Sequence, residues 1–250
     1  MTAQPNPLIG KVALVTGGSR SIGAAVTKKL AADGAAVAFT YASSPKKAEE
    51  LVKTIKSAGG KSLAIQADNA DPAAVRNAVA ETVKTFGRLD ILVNNAGTLV
   101  IKPIDELTVE DFDRIVAVNV RGAFVATQEA VRHMREGGRI INIGSCNSDY
   151  VPFAGGSLYA MTKAAIAGLT KGWARDLGAR GITVTNVQPG PTNTDMNPDS
   201  GEFAKQTKSY TALQRYAQPD EIAALVAWLA SPAASYVTGA GLRIDGGYAA

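Results

Sequence analysis

Apolar residues in this chain fall into two alternating patterns. Short runs rich in β-branched residues read as strands, most of them buried on both faces. They are Lys11–Thr16, Ala35–Tyr41, Lys61–Gln66, Leu89–Val93, Arg139–Ile143, Ile182–Val187 and Leu242–Ile244. Between them, apolar positions recur at helical spacing. After the first run Ile22, Val26 and Leu30 share one helix face, and Gly34 stops that helix. The same spacing predicts helices over 48–58, from Pro72 to Phe86, from Thr108 through Asn119, from Tyr159 to Gly178, and over Pro219–Ala230. Strand and helix alternate along the whole chain without repeat or linker. The expected fold class is therefore α/β, a single domain over 11–250 on one doubly wound, seven-stranded parallel sheet. Residues 1–10, MTAQPNPLIG, read as a loose tail without the core of a signal peptide. The polar segment 197–215 reads as a mobile cover over a cleft.

Composition narrows the function classes. Of the 250 residues 46% are hydrophobic, enough for a sizeable core, and 19% are charged, too few for a disordered chain. The net charge is +4, but Lys and Arg are scattered and no stripe of aromatics and bases appears, which argues against a nucleic-acid partner. No apolar run approaches the roughly 20 residues that span a bilayer, so no membrane partner and a cytoplasmic location are expected. The lone Cys146 excludes an internal disulfide. The lone His133 excludes a multi-histidine metal site; late in a helix and ahead of Gly137-Gly138, it suits a helix-end cation. No metal is expected.

Chemistry enters at the first turn. The strand–GGSRSIG–helix–strand order from Lys11 to Tyr41 is a β-turn-α-β unit. Its glycine-rich turn lets backbone N–H groups approach a pyrophosphate, and the helix N-terminus adds its positive dipole end. The string is Thr16-Gly17-x-x-x-Ser21-x-Gly23, with Ser21 where a middle glycine would stand; its hydroxyl suits a helix cap or a phosphate oxygen. NAD binders commonly place an acid at the end of the second strand. Here Tyr41, Ala42, Ser43 and Ser44 stand there, with Arg20 in the turn. A cation and hydroxyls suit a 2′-phosphate, so NADP(H) is expected over NAD(H). Lys46 and Lys47 read as solvated helix residues. Asp68 and Asn69 follow the third strand, where Asp68 is placed to meet an adenine amino group or to cap a turn.

Later strands end in further signals. Asn94-Asn95-Ala96-Gly97 follows the fourth strand; small residues let a loop pass close to a ligand, with Asn94 supporting the strand end. Asn119 sits mid-helix near Gly122, a poor helix choice that hints at a function. After the fifth strand come Ser145 and then Tyr159 and Lys163, one helical turn apart and so on one helix face. An ammonium beside a phenol favours the phenolate, which would lower the Tyr159 pKa and make it a usable acid or base. Pro189-Gly190 follows the sixth strand. A Ser145 or Cys146 hydrolase lacks a nearby histidine and a G-x-S-x-G elbow.

Together, Thr16-Gly17…Gly23, Asn94-Asn95-Ala96-Gly97, Asn119, Ser145, Tyr159-x-x-x-Lys163 and Pro189-Gly190, in this order, resemble the short-chain dehydrogenase/reductase family, including its 3-oxoacyl-[acyl-carrier-protein] reductases. The resemblance covers nearly the whole chain and implies a Rossmann fold and an NADP(H)-dependent ketone reductase. It implies a catalytic set of Asn119, Ser145, Tyr159 and Lys163, with Asn119 holding a water in a proton relay. It implies a cofactor set of Gly17, Ser19, Arg20, Ser21, Ile22, Tyr41, Ala42, Ser43, Asp68, Asn69, Asn95, Ala96, Gly97, Tyr159, Lys163, Pro189, Gly190, Thr192 and Thr194. It also implies a small carbonyl or alcohol substrate and a homotetramer that shares the Tyr159 and Asn119 helices. The Ser145–Tyr159 interval is one residue longer than is common in the family, in the loop that would wall the substrate pocket. The alternatives are an NAD-dependent alcohol dehydrogenase of the same family and a non-catalytic dinucleotide-binding sensor or scaffold.

Overall fold

The computed structural model describes residues 6–250. Seven strands form one parallel sheet: β1 (Val12–Val15), β2 (Ala36–Tyr41), β3 (Lys61–Gln66), β4 (Ile91–Asn94), β5 (Arg139–Ile143), β6 (Thr183–Pro189) and β7 (Gly241–Ile244). Their order is β3-β2-β1-β4-β5-β6-β7, so the doubly wound expectation holds. Successive side chains alternate across the sheet. Ala13, Val15, Ile91, Val93, Ile141 and Ile143 face a core closed by α1 (Ser21–Ala32), α2 (Pro45–Ser57) and α8 (Pro219–Ala230). Leu14, Leu92, Ile140 and Val184 face the opposite core, beneath α3 (Pro72–Phe86), α5 (Gly122–Ala130) and α6 (Ser157–Gly178). Burying each of the valine, leucine and isoleucine side chains contributes about 1.5–3 kcal/mol, which is why near-continuous apolar runs stay in the sheet centre. The order reverses between β1 and β4, and the crevice outside the carboxyl ends of those strands is where such sheets bind ligands.

Three expectations change. The helix from Thr108 is not continuous: α4 (Val109–Val116) passes through a π-helical turn, Ala117–Arg121, into α5. The helix bearing Tyr159 starts at Ser157, which places Tyr159 inside its first turn. The segment read as a mobile cover contains an ordered helix, α7 (Gly201–Tyr210), whose Ala204 and Thr207 are buried. Of the predicted tail, residues 1–5 lie outside the described residues. Leu8 is buried and donates its N–H to the Asp33 carbonyl at 2.9 Å, so packing begins ahead of β1.

A buried polar network fixes the strand ends. Asn94 Nδ2 donates to Asn142 Oδ1 at 2.8 Å and to Thr127 Oγ1 at 3.0 Å. Asn142 Nδ2 donates to Thr170 Oγ1 of α6 at 2.9 Å. These amide bonds in a low-dielectric interior hold β4, β5, α5 and α6 in one register, although the Asn94 Oδ1 is left without a partner.

Candidate active site

The floor of the crevice is the turn from Thr16 to Ser21. Gly17 has φ +63°, and its N–H donates to Thr40 Oγ1 at 2.9 Å. Thr16 Oγ1 accepts the N–H groups of Asn95 and Ala96, each at 3.0 Å, while Asn95 Nδ2 donates to the carbonyls of Thr16 and Gly17, each at 2.9 Å. The two loops that end β1 and β4 are thereby locked together. Gly23 is a close-approach glycine: a Cβ there would sit 2.3 Å from the Gly17 carbonyl oxygen. α1 begins with no side-chain cap and no acid in its first turn, which leaves its positive end to an outside anion. This uncapped helix start behind a glycine turn fits a dinucleotide pyrophosphate.

The other predicted cofactor residues divide by what their side chains touch. Ser21 has φ +50°, a left-handed conformation that favours glycine, and its Oγ accepts the Asp195 N–H at 3.2 Å rather than capping α1. Ser19 is buried, Arg20 is exposed, and Ile22 packs on the core beneath the turn. Tyr41 is half-buried against that core at the end of β2, and Ala42 and Ser43 are exposed beyond it. Asp68 makes turn contacts with a half-exposed side chain: Oδ1 accepts the Ala70 N–H at 2.9 Å and Oδ2 pairs with Arg114 at 3.2 Å. The Asn69 side chain is buried and donates to the Val118 carbonyl at 2.7 Å, bracing the π turn. Gly97 lies between Asn119 and Lys163, since a Cβ on it would be 3.6 Å from Asn119 Oδ1 and 3.8 Å from Lys163 Nζ. Pro189 ends β6, and Gly190 passes Asp245 so closely that a Cβ would fall 2.6 Å from the Asp245 Cα. Thr192 Oγ1 donates to the Gly190 carbonyl at 3.0 Å, and Thr194 Oγ1 accepts the Asn197 N–H at 3.1 Å.

The four residues read as catalytic converge above the carboxyl ends of β4 and β5. Asn119 lies in the π turn, a feature frequent at functional sites. Its Oδ1 accepts the Thr98 N–H at 2.8 Å, and its Nδ2 donates to the Thr98 carbonyl at 2.9 Å and to Thr162 Oγ1 at 3.1 Å. Thr162 Oγ1 in turn donates to the Tyr159 carbonyl at 2.8 Å. Lys163 is buried, its Nζ donates to the Ile143 carbonyl at 2.8 Å, and it stands 5.5 Å from the centroid of the Tyr159 ring. Ser145 Oγ accepts the Asn147 N–H at 3.1 Å and so orders the start of the loop leading to Tyr159.

The expected tuning of Tyr159 by Lys163 is reversed among the protein's own groups. Burial pushes the phenol up to about 12, opposed by the Ser145 hydroxyl and reinforced by the Cys146 thiol. Burial also brings the Lys163 ammonium down to about 8. The ammonium is committed to the Ile143 carbonyl, and desolvation outweighs attraction to a phenol that stays neutral. Tyr159 is thus held protonated at neutral pH. Cys146 is buried and its thiol is raised to about 12, chiefly by burial, which leaves it inert as a nucleophile. His133 follows the end of α5, 3.6 Å from Glu129 Oε1, away from these groups.

Sequence reading missed the threonine pins. Thr16 follows β1 and Thr40 lies at the end of β2, and each bonds backbone from elsewhere in the chain, whereas Thr162, inside α6, links the Asn119 amide to the Tyr159 carbonyl; for the first two, a threonine at the carboxyl end of an otherwise apolar strand is the signal. It also set Lys47 aside, yet Lys47 Nζ lies 2.9 Å from Asp195 Oδ2, and Arg20 reaches the same oxygen at 3.6 Å.

A doubly wound parallel sheet, an uncapped glycine turn at its switch point and a tyrosine–lysine pair beside it define a dinucleotide-binding oxidoreductase. A family model described as Enoyl-(Acyl carrier protein) reductase matches residues 17–249. A short-chain dehydrogenase/reductase from Serratia marcescens is 60% identical, with a TM-score of 0.96 over 98% of this chain and 100% of that one. A short chain dehydrogenase from Burkholderia cenocepacia, solved in complex with NADP, is 55% identical, with a TM-score of 0.97 over 98% of this chain and 100% of that one. The cyclic-di-GMP-binding biofilm dispersal mediator protein of Escherichia coli is 46% identical over 241 residues, 96% of this chain and 98% of that protein. The chain belongs to the short-chain dehydrogenase/reductase family.

Proposed function

We propose that this protein reversibly reduces a ketone carbonyl to a secondary alcohol with NADPH. The observation that carries the reading is the Tyr159 ring with the buried Lys163 Nζ 5.5 Å from its centroid, beside Ser145 and at the edge of the glycine cradle. A general acid needs its proton at the working pH, and burial keeps this one in place. The NADP-bound Burkholderia relative supports the cofactor choice, as do Arg20 and Ser43 where an NAD binder would carry an acid. When bound, the nicotinamide supplies the hydride. The turn from Gly17 to Ile22 would take the pyrophosphate, Arg20 and Ser43 the 2′-phosphate, and Asp68 the adenine edge. Asn95, Ala96 and Gly97 would line the cleft, and Pro189, Gly190, Thr192 and Thr194 would flank the nicotinamide end.

In the reductive direction the carbonyl oxygen accepts hydrogen bonds from Ser145 and Tyr159, and Tyr159 gives it a proton. Lys163, hydrogen-bonded to Ile143, stabilises the phenolate left behind. Asn119 holds the Thr98 backbone and the Thr162 hydroxyl in place, and its π turn suits a water in the relay that reprotonates the pair. The substrate would enter between the loop at 147–157 and α7, where Phe153 meets Phe203 edge to face at 6.3 Å, so an apolar ketone suits it. The test is Tyr159→Phe across a ketone panel followed at the nicotinamide absorbance. Turnover should vanish while NADPH affinity stays within about threefold; near-normal turnover would refute the assignment.

Two further readings belong to the same proposal. Exposed Phe112, Phe124 and Met161, on α4, α5 and α6, favour a homotetramer sharing those helices, which light scattering would show. Among the described residues no helix is long and apolar enough to cross a membrane, and a cytoplasmic enzyme is the natural setting for NADPH chemistry. The name of the Escherichia coli relative points to a nucleotide-sensing alternative. The intact Tyr159–Lys163 pair weighs against it, because nucleotide binding alone has no use for a phenolic acid. Tight NADPH binding without reduction of any ketone in the panel would favour the sensor.

A further inference from the structure

One acidic contact on the dinucleotide side of the crevice has no part in the proton transfer. Asp195 follows Gly190 on the segment after β6. Its Oδ2 lies 2.9 Å from Lys47 Nζ and 3.6 Å from an Arg20 guanidinium nitrogen. Its N–H donates to Ser21 Oγ at 3.2 Å. Three chain segments therefore meet on one residue: the turn between β1 and α1, the first turn of α2, and the segment after β6. Lys47 first, and then Arg20, hold the Asp195 carboxyl below the usual carboxylate range, so it is ionised at neutral pH. The side chains of Arg20, Lys47 and Asp195 are 52%, 55% and 46% exposed. Ion pairs this open to water are weak and exchange readily. Without the carboxylate, two cations would be brought together with nothing between them.

We propose that Asp195 is the resident counter-ion of the 2′-phosphate subsite: its carboxylate gathers Arg20 and Lys47 and yields both to the phosphate of NADP(H). The inference rests on the NADP(H) reading above and extends it to Lys47 and Asp195. A phosphomonoester carries about −1.5 to −2 charges against one on the carboxylate, so it wins the two cations when it arrives. NAD(H) brings no such group and leaves the pairs intact. Asp195 then acts by competition, and the protein gives up part of its phosphate affinity to keep the two cations together. The Asp195 N–H bond to Ser21 is a backbone contact and is independent of the carboxylate charge.

Isothermal titration of the full-length protein with 2′,5′-ADP and 5′-AMP, and with NADPH and NADH, tests this without turnover. Asp195→Asn keeps the backbone bond and removes the charge. It should bind 2′,5′-ADP and NADPH about three- to tenfold more tightly, and 5′-AMP and NADH within about twofold of wild type, as expected for releasing two exposed pairs. Lys47→Gln should weaken 2′,5′-ADP by a similar factor and leave 5′-AMP unchanged; the 5′-AMP affinity reports that each variant is folded. Unchanged or weaker 2′,5′-ADP binding by Asp195→Asn overturns the proposal. If wild type prefers 2′,5′-ADP and loses the preference on Arg20→Gln and Lys47→Gln while Asp195→Asn has no effect, the role of Asp195 falls and the cofactor reading stands. If wild type binds 2′,5′-ADP no better than 5′-AMP, and NADPH no better than NADH, both fall.

Discussion

Replacing Lys163 with methionine should make the protein more stable at neutral pH, and the gain should shrink as pH rises. The Lys163 ammonium has a pKa of about 8 in the folded chain against 10.5 for a free lysine, with burial as the cause. The folded state therefore holds this proton less tightly than the unfolded state does. Between about pH 8 and 10.5 the unfolded chain binds more protons at this site, so stability rises with pH through that window. At pH 7 lysine is charged in both states, and at about 1.4 kcal/mol per pH unit the buried charge costs the fold about 3 kcal/mol. At pH 9.5 much of the proton has left the folded protein, and the cost falls to about 1.4 kcal/mol. Methionine has similar bulk and no charge, but it leaves the Ile143 carbonyl without its donor, a loss of about 1–3 kcal/mol that does not depend on pH. The stability difference between variant and wild type should thus fall by about 2 kcal/mol from pH 7 to 9.5. Paired urea melts at the two pH values read this directly, since surface titrations common to both proteins cancel. A difference that stays constant within about 0.5 kcal/mol would show that Lys163 carries no burial penalty, and the electrostatic account of the site would fail with it.

The remaining expectations are compact. Gly23→Ala should cost about 1–3 kcal/mol in a urea melt and abolish dinucleotide binding by calorimetry, because its Cβ would lie 2.3 Å from the Gly17 oxygen. Ser21→Gly should raise stability by about 1 kcal/mol by relieving a left-handed φ of +50°; a loss of that size would mean the Oγ contact to Asp195 outweighs the strain. With Tyr159 near 12, kcat/KM for alcohol oxidation should climb between about pH 7 and 10 as the phenolate becomes populated, while kcat/KM for reduction should not climb; parallel profiles would remove Tyr159 as the proton-transfer group.

The fold was legible because burial on both faces leaves little choice. A run such as VALV cannot alternate polar and apolar residues inside a two-sided sheet, so β1 declares itself. The helix that carries Asn119 was read as continuous because a π turn adds one residue without disturbing the apolar spacing on either side. The helix in the segment 197–215 was missed for a different reason. Its apolar face is short, resting on Ala204 and Thr207, and the polar residues around it read as loop. For Asn69, position after a strand does not say which way its amide turns; here the Val118 carbonyl claims it.

The site divides along the same line. Neighbours set by short spacing, Tyr159 with Lys163 or Gly17 with Gly23, were readable. Residues whose role depends on partners far along the chain were not. Lys47 and Asp195 are separated by 148 positions, and neither carries a local signal. Lys47 alone is a surface lysine, and Asp195 alone is a turn aspartate. Only the switch point, which folds the end of β6 back over the turn after β1, turns them into an ion pair. The pKa of Tyr159 belongs to this second kind. Sequence shows that a lysine stands one turn away, but the balance between attraction and desolvation is set by how deeply both are buried, and here desolvation wins on each side of the pair. The half-buried phenol stays protonated, as the proposed reduction requires, and what it would need from Lys163 is a charge that acts once the proton has gone.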